Sequence, residues 1–110
     1  MRVTRHFVLA AGGTGGHMVP AHALAAELMR RGHRVALVTD ERGARIPGLF
    51  DGVQTHVIPA GRLGGGLRAM IKAVRDIRAG TAMAGQLYET FAPSAVIGFG
   101  GYPALPALRA

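Results

Sequence analysis

A chain of 110 residues has room for one small domain, and with 49% apolar residues it can build a real core. Only 17% of residues are charged and no low-complexity tract occurs, which excludes a disordered chain; the absence of cysteine excludes disulfides and thiolate metal sites. The net charge of +7 is concentrated: Arg62, Arg68, Lys72, Arg75 and Arg78 stand against the single acid Asp76, so this segment alone carries +4. Such a balance attracts nucleic acid, anionic lipid or anionic small molecules. Aromatics are 5% of the chain and none interleaves the basic residues, so a base-stacking surface and a nucleic-acid partner are not expected.

The basic start and short apolar run superficially resemble a signal peptide. Phe7–Ala11 is too short for one, however, and leads into a glycine loop instead of a cleavage site. It reads as a strand covered on both faces. No apolar stretch approaches the ~20 residues that span a bilayer, so membrane contact is expected to be peripheral. Gly12-Gly13-Thr14-Gly15-Gly16-His17 follows as a loop. Pro20 then suits the first turn of a helix whose apolar positions are Ala21, Leu24, Ala25, Leu28 and Met29. Arg30 and Arg31 favour its last turn, and Gly32 ends it.

Val35–Thr39 reads as a second buried strand ending at Asp40, and residues 41–53 as loop. Thr55–Ile58 is a third strand, stopped by Pro59. Gly61 and Gly64–Gly66 mark a flexible connection. From Leu67 the spacing of Met70, Ile71, Val74 and Ile77 predicts a helix that bends near Gly80 and resumes through Met83, Leu87 and Phe91 to Pro93. Ala95–Phe99 is a fourth strand, and Gly100-Gly101 turns it toward a helix starting near Pro103. The closing residues to Ala110 remain apolar, and the chain is expected to stop inside a helix of a larger domain.

Strands alternating with helices predict right-handed βαβ units and an α/β fold with a Rossmann-like, doubly wound, mostly parallel sheet. In its strand order, 3-2-1-4-5, strands one and four are neighbours and their helices leave to opposite faces. The loops Gly12–His17 and Gly98–Tyr102 therefore meet at one crevice. Glycine allows close backbone approach and positive φ, and helix N-terminal amides favour an anion. Two facing loops suit a diphosphate, with Thr14 as a hydroxyl donor; a plain tight turn is the ordinary alternative. The G-x-G-x-x-G fingerprint fails at Met18, and no P-loop lysine follows.

The run AAGGTGGHMVPAHALAAEL at 10–28 closely resembles the first glycine-rich motif of the MurG-type bacterial N-acetylglucosaminyltransferases, and VIGFGGYPALPAL at 96–108 resembles the second. Ala60–Gly66 is similar to the family's basic glycine loop. The resemblance covers essentially the whole chain and implies the N-terminal, acceptor-binding lobe of a two-lobe GT-B type glycosyltransferase, with the donor lobe missing. The implied reaction transfers N-acetylglucosamine from UDP-N-acetylglucosamine to undecaprenyl-pyrophosphoryl-N-acetylmuramoyl-pentapeptide in peptidoglycan synthesis. It inverts the anomeric centre without metal or cofactor, at the cytoplasmic face of the bacterial inner membrane. By the motif match Thr14, Gly15 and Gly16 lie at the cleft near the nucleotide-sugar. Gly12, Gly13, Gly100, Gly101 and Tyr102 join them as candidates for binding substrate diphosphate. Ala104 departs from the serine many members carry. No activity is expected from the 110 residues alone.

An inverting transfer needs a base for the attacking hydroxyl and stabilisation of the leaving diphosphate. His17, at the end of the first loop, is the candidate: it acts as base, orients the acceptor, or only caps the helix or holds the second loop. His6, His22, His33 and His56 lack metal-like spacing and read as surface or structural residues. Asp40 stands where a dinucleotide fold grips ribose, but without the fingerprint a solvated or structural aspartate is preferred. The helix from Leu67 reads either as sheet-packing with a solvated basic face or as a patch for an anionic membrane through Arg68, Lys72 and Arg75, with Leu63 as apolar flank. A reductase-like nucleotide module and an inactive product are the competing functional readings.

Overall fold

The computed structural model describes residues 4–13, 15–46, 50, 52–59, 66–100 and 103–110. Among these residues eight elements alternate: β1 His6–Ala10, α1 Gly15–Arg30, β2 Arg34–Thr39, α2 Glu41–Ala44, β3 Gln54–Val57, α3 Gly66–Phe91, β4 Ala95–Gly98 and α4 Ala104–Arg109. The strands form one parallel sheet in the order β3-β2-β1-β4, as the doubly wound reading requires. Register places Leu9 between Leu37 and Ile97, and Val8 between Ala36 and Val96. Alternation then divides the apolar runs between two faces. Leu9, Ala11, Val35 and Leu37 pack with Met18, Ala21 and Ala25 of α1 and with Phe50. Val8, Ala10, Ala36 and Val38 pack with Leu87 and Phe91 of α3 and Ala107 of α4. The helices after β1 and β4 thus lie on opposite faces, which opens the crevice at the carboxyl ends of those two strands.

Three local expectations need correction. First, the helix after β1 starts at Gly15, so Gly15, Gly16 and His17 are its opening residues and Pro20 lies in the second turn. Proline there has no N–H for the Gly16 carbonyl, a defect tolerated close to a helix start. Second, residues 41–53 are not all loop. Asp40, with extended backbone, caps α2 by accepting from the Gly43 amide at 2.8 Å. Third, α3 runs unbroken through Gly80. What glycine provides there is proximity: a Cβ would press on the Pro59 carbonyl and come within 3.1 Å of Pro106 Cβ. Gly80 lets α3 close on the end of β3 and on α4.

The reading of α3 as a sheet-packing helix holds for only half of it. Its buried residues are Ala73, Gly80, Ala84, Leu87 and Phe91, whereas Leu67 is 74% exposed, Met70 57%, Ile71 53% and Val74 54%. Length is the reason. Twenty-six residues make a helix of about 39 Å, while a four-residue strand such as β4 is only about 13 Å long. Gly80 is level with the carboxyl end of β3, so the turns before it project past the sheet, on the same side as the glycine loops.

Tyr88 fixes the other half. Its hydroxyl donates to the Ala107 carbonyl at 2.7 Å, and burial pushes the phenol up to about 12. A raised folded-state value means that stability is fully present below pH 10.0 and drains as pH rises toward 12. Tyr88→Phe is expected to lower stability at neutral pH by about 0.5–1.5 kcal/mol and to flatten the alkaline decline. Denaturant unfolding across that pH range measures both effects.

Candidate functional site

The sheet ladder continues into both glycine loops. The Ala11 amide donates to the Val38 carbonyl at 3.1 Å, and the Phe99 amide donates to the Ala10 carbonyl at 2.8 Å. The chain then leaves the sheet through Gly12-Gly13 on one side and Gly100 on the other. Gly13 (φ +81) and Gly100 (φ +97) adopt the left-handed backbone that a side chain disfavours. Gly12 is buried against the start of α4: a Cβ on it would lie 2.6 Å from Pro103 Cγ and 3.1 Å from the Asp40 carboxyl carbon. The two loops are therefore in contact through a glycine and a proline ring.

His17 sits between them, half-buried. Its Nδ1 lies 3.0 Å from the Gly12 carbonyl oxygen. A carbonyl only accepts, so Nδ1 carries the proton and the neutral ring presents Nε2 as an acceptor. Nε2 is turned to the second loop, 3.1 Å from where a Cβ on Gly100 would stand. The geometry brings together Gly12, Gly13, His17 and Gly100, with Gly15 and Gly16 in the first turn of α1. Thr14, Gly101 and Tyr102 lie outside the described residues.

Sequence reasoning left Asp40 unassigned to this neighbourhood. Its Oδ1 accepts from the Gly13 amide at 3.2 Å as well as from Gly43, joining the first loop to α2. The available signal was an Asp three residues before Gly43 at a strand end, a capping pattern. The remaining histidines serve the framework. His6 Nδ1 pairs with the Phe91 carbonyl at 2.6 Å, His22 accepts from the Phe50 amide at 3.1 Å and His33 accepts from the Arg5 amide at 3.1 Å. His56 contacts Gln54. Among the described residues no group of three His, Cys, Asp or Glu is placed to hold a metal ion.

Residues 7–110 match the glycosyltransferase family 28 N-terminal domain. The chain belongs to that family. Among curated proteins it is 66% identical over 110 residues to the UDP-N-acetylglucosamine--N-acetylmuramyl-(pentapeptide) pyrophosphoryl-undecaprenol N-acetylglucosamine transferase of Zymomonas mobilis subsp. mobilis, covering 100% of this chain and 28% of that protein. It is 68% identical over 108 residues to the protein of the same name from Novosphingobium aromaticivorans, covering 98% and 28%. The crystal structure of Acinetobacter baumannii MurG superposes with a TM-score of 0.67 at 28% identity, over 94% of this chain and 31% of that one. The chain spans about 28% of the length of the curated relatives it matches.

This family 28 N-terminal domain also carries the basic helix. Arg68, Lys72, Arg75 and Arg78 are all exposed on α3, one position round from Leu67, Ile71 and Val74. The exposed Lys72 lies 3.8 Å from the half-buried Asp76. Leu63, the apolar flank expected from sequence, lies outside the described residues; the exposed apolar residues that neighbour the basic ones are Leu67, Met70, Ile71 and Val74 of α3 itself. Among the described residues no helix is long and apolar enough to cross a membrane.

Proposed function

We propose that this chain is the acceptor-binding lobe of a transferase that moves N-acetylglucosamine from UDP-N-acetylglucosamine to undecaprenyl-pyrophosphoryl-N-acetylmuramoyl-pentapeptide, with the donor lobe outside these 110 residues. The observation that carries the reading is His17 set between two glycine loops, its Nδ1 on the Gly12 carbonyl and its Nε2 turned to Gly100. The names of relatives more than 60% identical supply the substrate classes.

In the reaction the 4-hydroxyl of the muramyl sugar attacks the anomeric carbon of the donor. The new bond forms from the acceptor oxygen as the bond from that carbon to the diphosphate breaks, inverting the centre. His17 Nε2 takes the hydroxyl proton, and UDP departs with the bonding pair. Backbone amides of the first turn of α1 and of the Gly100 loop face the anionic diphosphate of a substrate, where fixed N–H dipoles stabilise charge at little reorganisation cost. Thr14, Gly101 and Tyr102 complete the binding set in this proposal.

The test is a chimera in which the chain replaces the corresponding part of the Zymomonas mobilis relative. Transfer of labelled N-acetylglucosamine to the lipid-linked acceptor supports the reading. A folded chimera that binds UDP-N-acetylglucosamine but neither binds nor glycosylates that acceptor would sink it.

The same reading assigns the projecting half of α3 to the cytoplasmic leaflet of the inner membrane. Leu67, Met70, Ile71 and Val74 enter the interface while Arg68, Lys72 and Arg75 meet anionic headgroups at about 1 kcal/mol each. Both features lie on the glycine-loop side of the sheet, where a lipid-anchored acceptor has to be met. Vesicles containing phosphatidylglycerol are expected to bind the protein in a salt-sensitive way. The double change Leu67→Glu and Ile71→Glu is expected to abolish binding and leave thermal stability unchanged. Binding that ignores both salt and lipid charge would remove this assignment.

A further inference from the structure

Asp40 and His17 do not touch, yet they grip opposite ends of one peptide group. The Gly13 amide that Asp40 Oδ1 holds at 3.2 Å and the Gly12 carbonyl that His17 Nδ1 meets at 3.0 Å belong to the same planar unit. No described peptide bond is cis, so this N–H and C=O point in opposite directions and the carboxylate and imidazole lie on opposite sides of the loop. Asp40 is itself held, because the same oxygen accepts from Gly43 at the start of α2. Gly12 has no side chain, and that allows the Asp40 carboxyl to come this close.

We propose that Asp40 is a positioning residue that fixes the tautomer and aim of His17 through the Gly12–Gly13 peptide unit. This rests on the reading of His17 as the base but is tested without it. An ionised acceptor on the N–H polarises the amide and makes its carbonyl a stronger acceptor, because hydrogen bonds in a chain reinforce one another. That carbonyl then selects Nδ1–H, the tautomer that leaves Nε2 bare toward the second loop. Without an acceptor oxygen in reach of the Gly13 amide, the flexible Gly12-Gly13 segment is no longer pinned, the carbonyl turns away and the ring loses its reason to keep the proton on Nδ1.

The experiment is nitrogen NMR of the chain labelled with 15N-histidine, at a pH where the rings are neutral, with the His17 signals assigned by their loss in His17→Gln. The expected result is Nδ1–H with an unprotonated Nε2. Asp40→Asn keeps an oxygen that accepts from both amides and should retain this state. Asp40→Ser caps α2 through its hydroxyl but is too short to reach Gly13 as well, so the fold is kept and the Nδ1–H state is expected to be lost. Persistence of that state in Asp40→Ser, or its absence in the parent chain, would overturn the proposal. Normal turnover of a His17→Ala chimera would remove the base and leave the tautomer result standing, so the two failures are told apart.

Discussion

Replacing His17 with alanine in the chimera is expected to lower kcat by about 10²–10⁴-fold, the usual contribution of a positioned base. KM for the donor should change little. His17→Gln separates two roles. A glutamine amide can still donate to the Gly12 carbonyl, which His17 Nδ1 meets at 3.0 Å, but it offers no basic nitrogen toward Gly100. If glutamine restores turnover, the histidine only ties the loop, and the proton must leave by another route. If glutamine fails as alanine does, the lone pair at Nε2 is what matters. Initial rates at saturating donor, with circular dichroism to confirm the fold, decide the matter.

The second large effect is expected at Gly12. A Cβ there would stand 2.6 Å from Pro103 Cγ, and Pro103 is fully buried at the start of α4. Both Gly12 and Pro103 are buried where the loops meet, so Gly12→Val is expected to push the two glycine loops apart. Overpacking of this kind costs about 1–3 kcal/mol, and in a domain this small a change of that size lowers Tm by roughly 5 °C or more. The chimera carrying it should also lose transfer, because the two glycine loops that meet at Gly12 and Pro103 are displaced. Gly85→Ala is the control. Nothing lies within 4 Å of a Cβ at that helical glycine, so alanine there should leave Tm unchanged or raise it slightly. Calorimetry on the pair tests the packing argument by opposite signs; equal falls would defeat it.

The sheet was legible because its strands are continuous apolar runs, and a strand buried on both faces leaves no other reading for Val8–Ala11 or Val35–Val38. Its order followed from the doubly wound arrangement that alternating strands and helices imply. The four-residue α2 was not legible, since so short a helix has no periodicity and is held by one cap from Asp40. The start of α1 was misplaced because glycines at 15 and 16 are poor helix formers, and only the tertiary frame makes them helical.

The candidate site was legible as a neighbourhood but not as a set of bonds. That two glycine loops meet follows from topology. That His17 faces Gly100 with Nε2, and that Asp40 and His17 share one peptide group, depends on rotamers no pattern encodes. The apolar stripe of α3 announced a helix correctly. What covers the stripe was a question of relative length, and the short strands answer it against the sheet.

That mismatch gives α3 two thermodynamic identities along one hydrogen-bond ladder. From Gly80 to Phe91 the helix is clamped by Pro59, Pro106, Tyr88 and the sheet core, so its amides should exchange with solvent only when the whole domain opens. From Gly66 to Arg78, about three and a half turns, only Ala73 is buried and most side chains are exposed, and a helix of that length is marginal in water on its own. Those amides should exchange by local fraying, orders of magnitude faster, until a surface covers the stripe. Gly80 is then the boundary between a cooperative unit and a segment whose order is supplied by what it rests on.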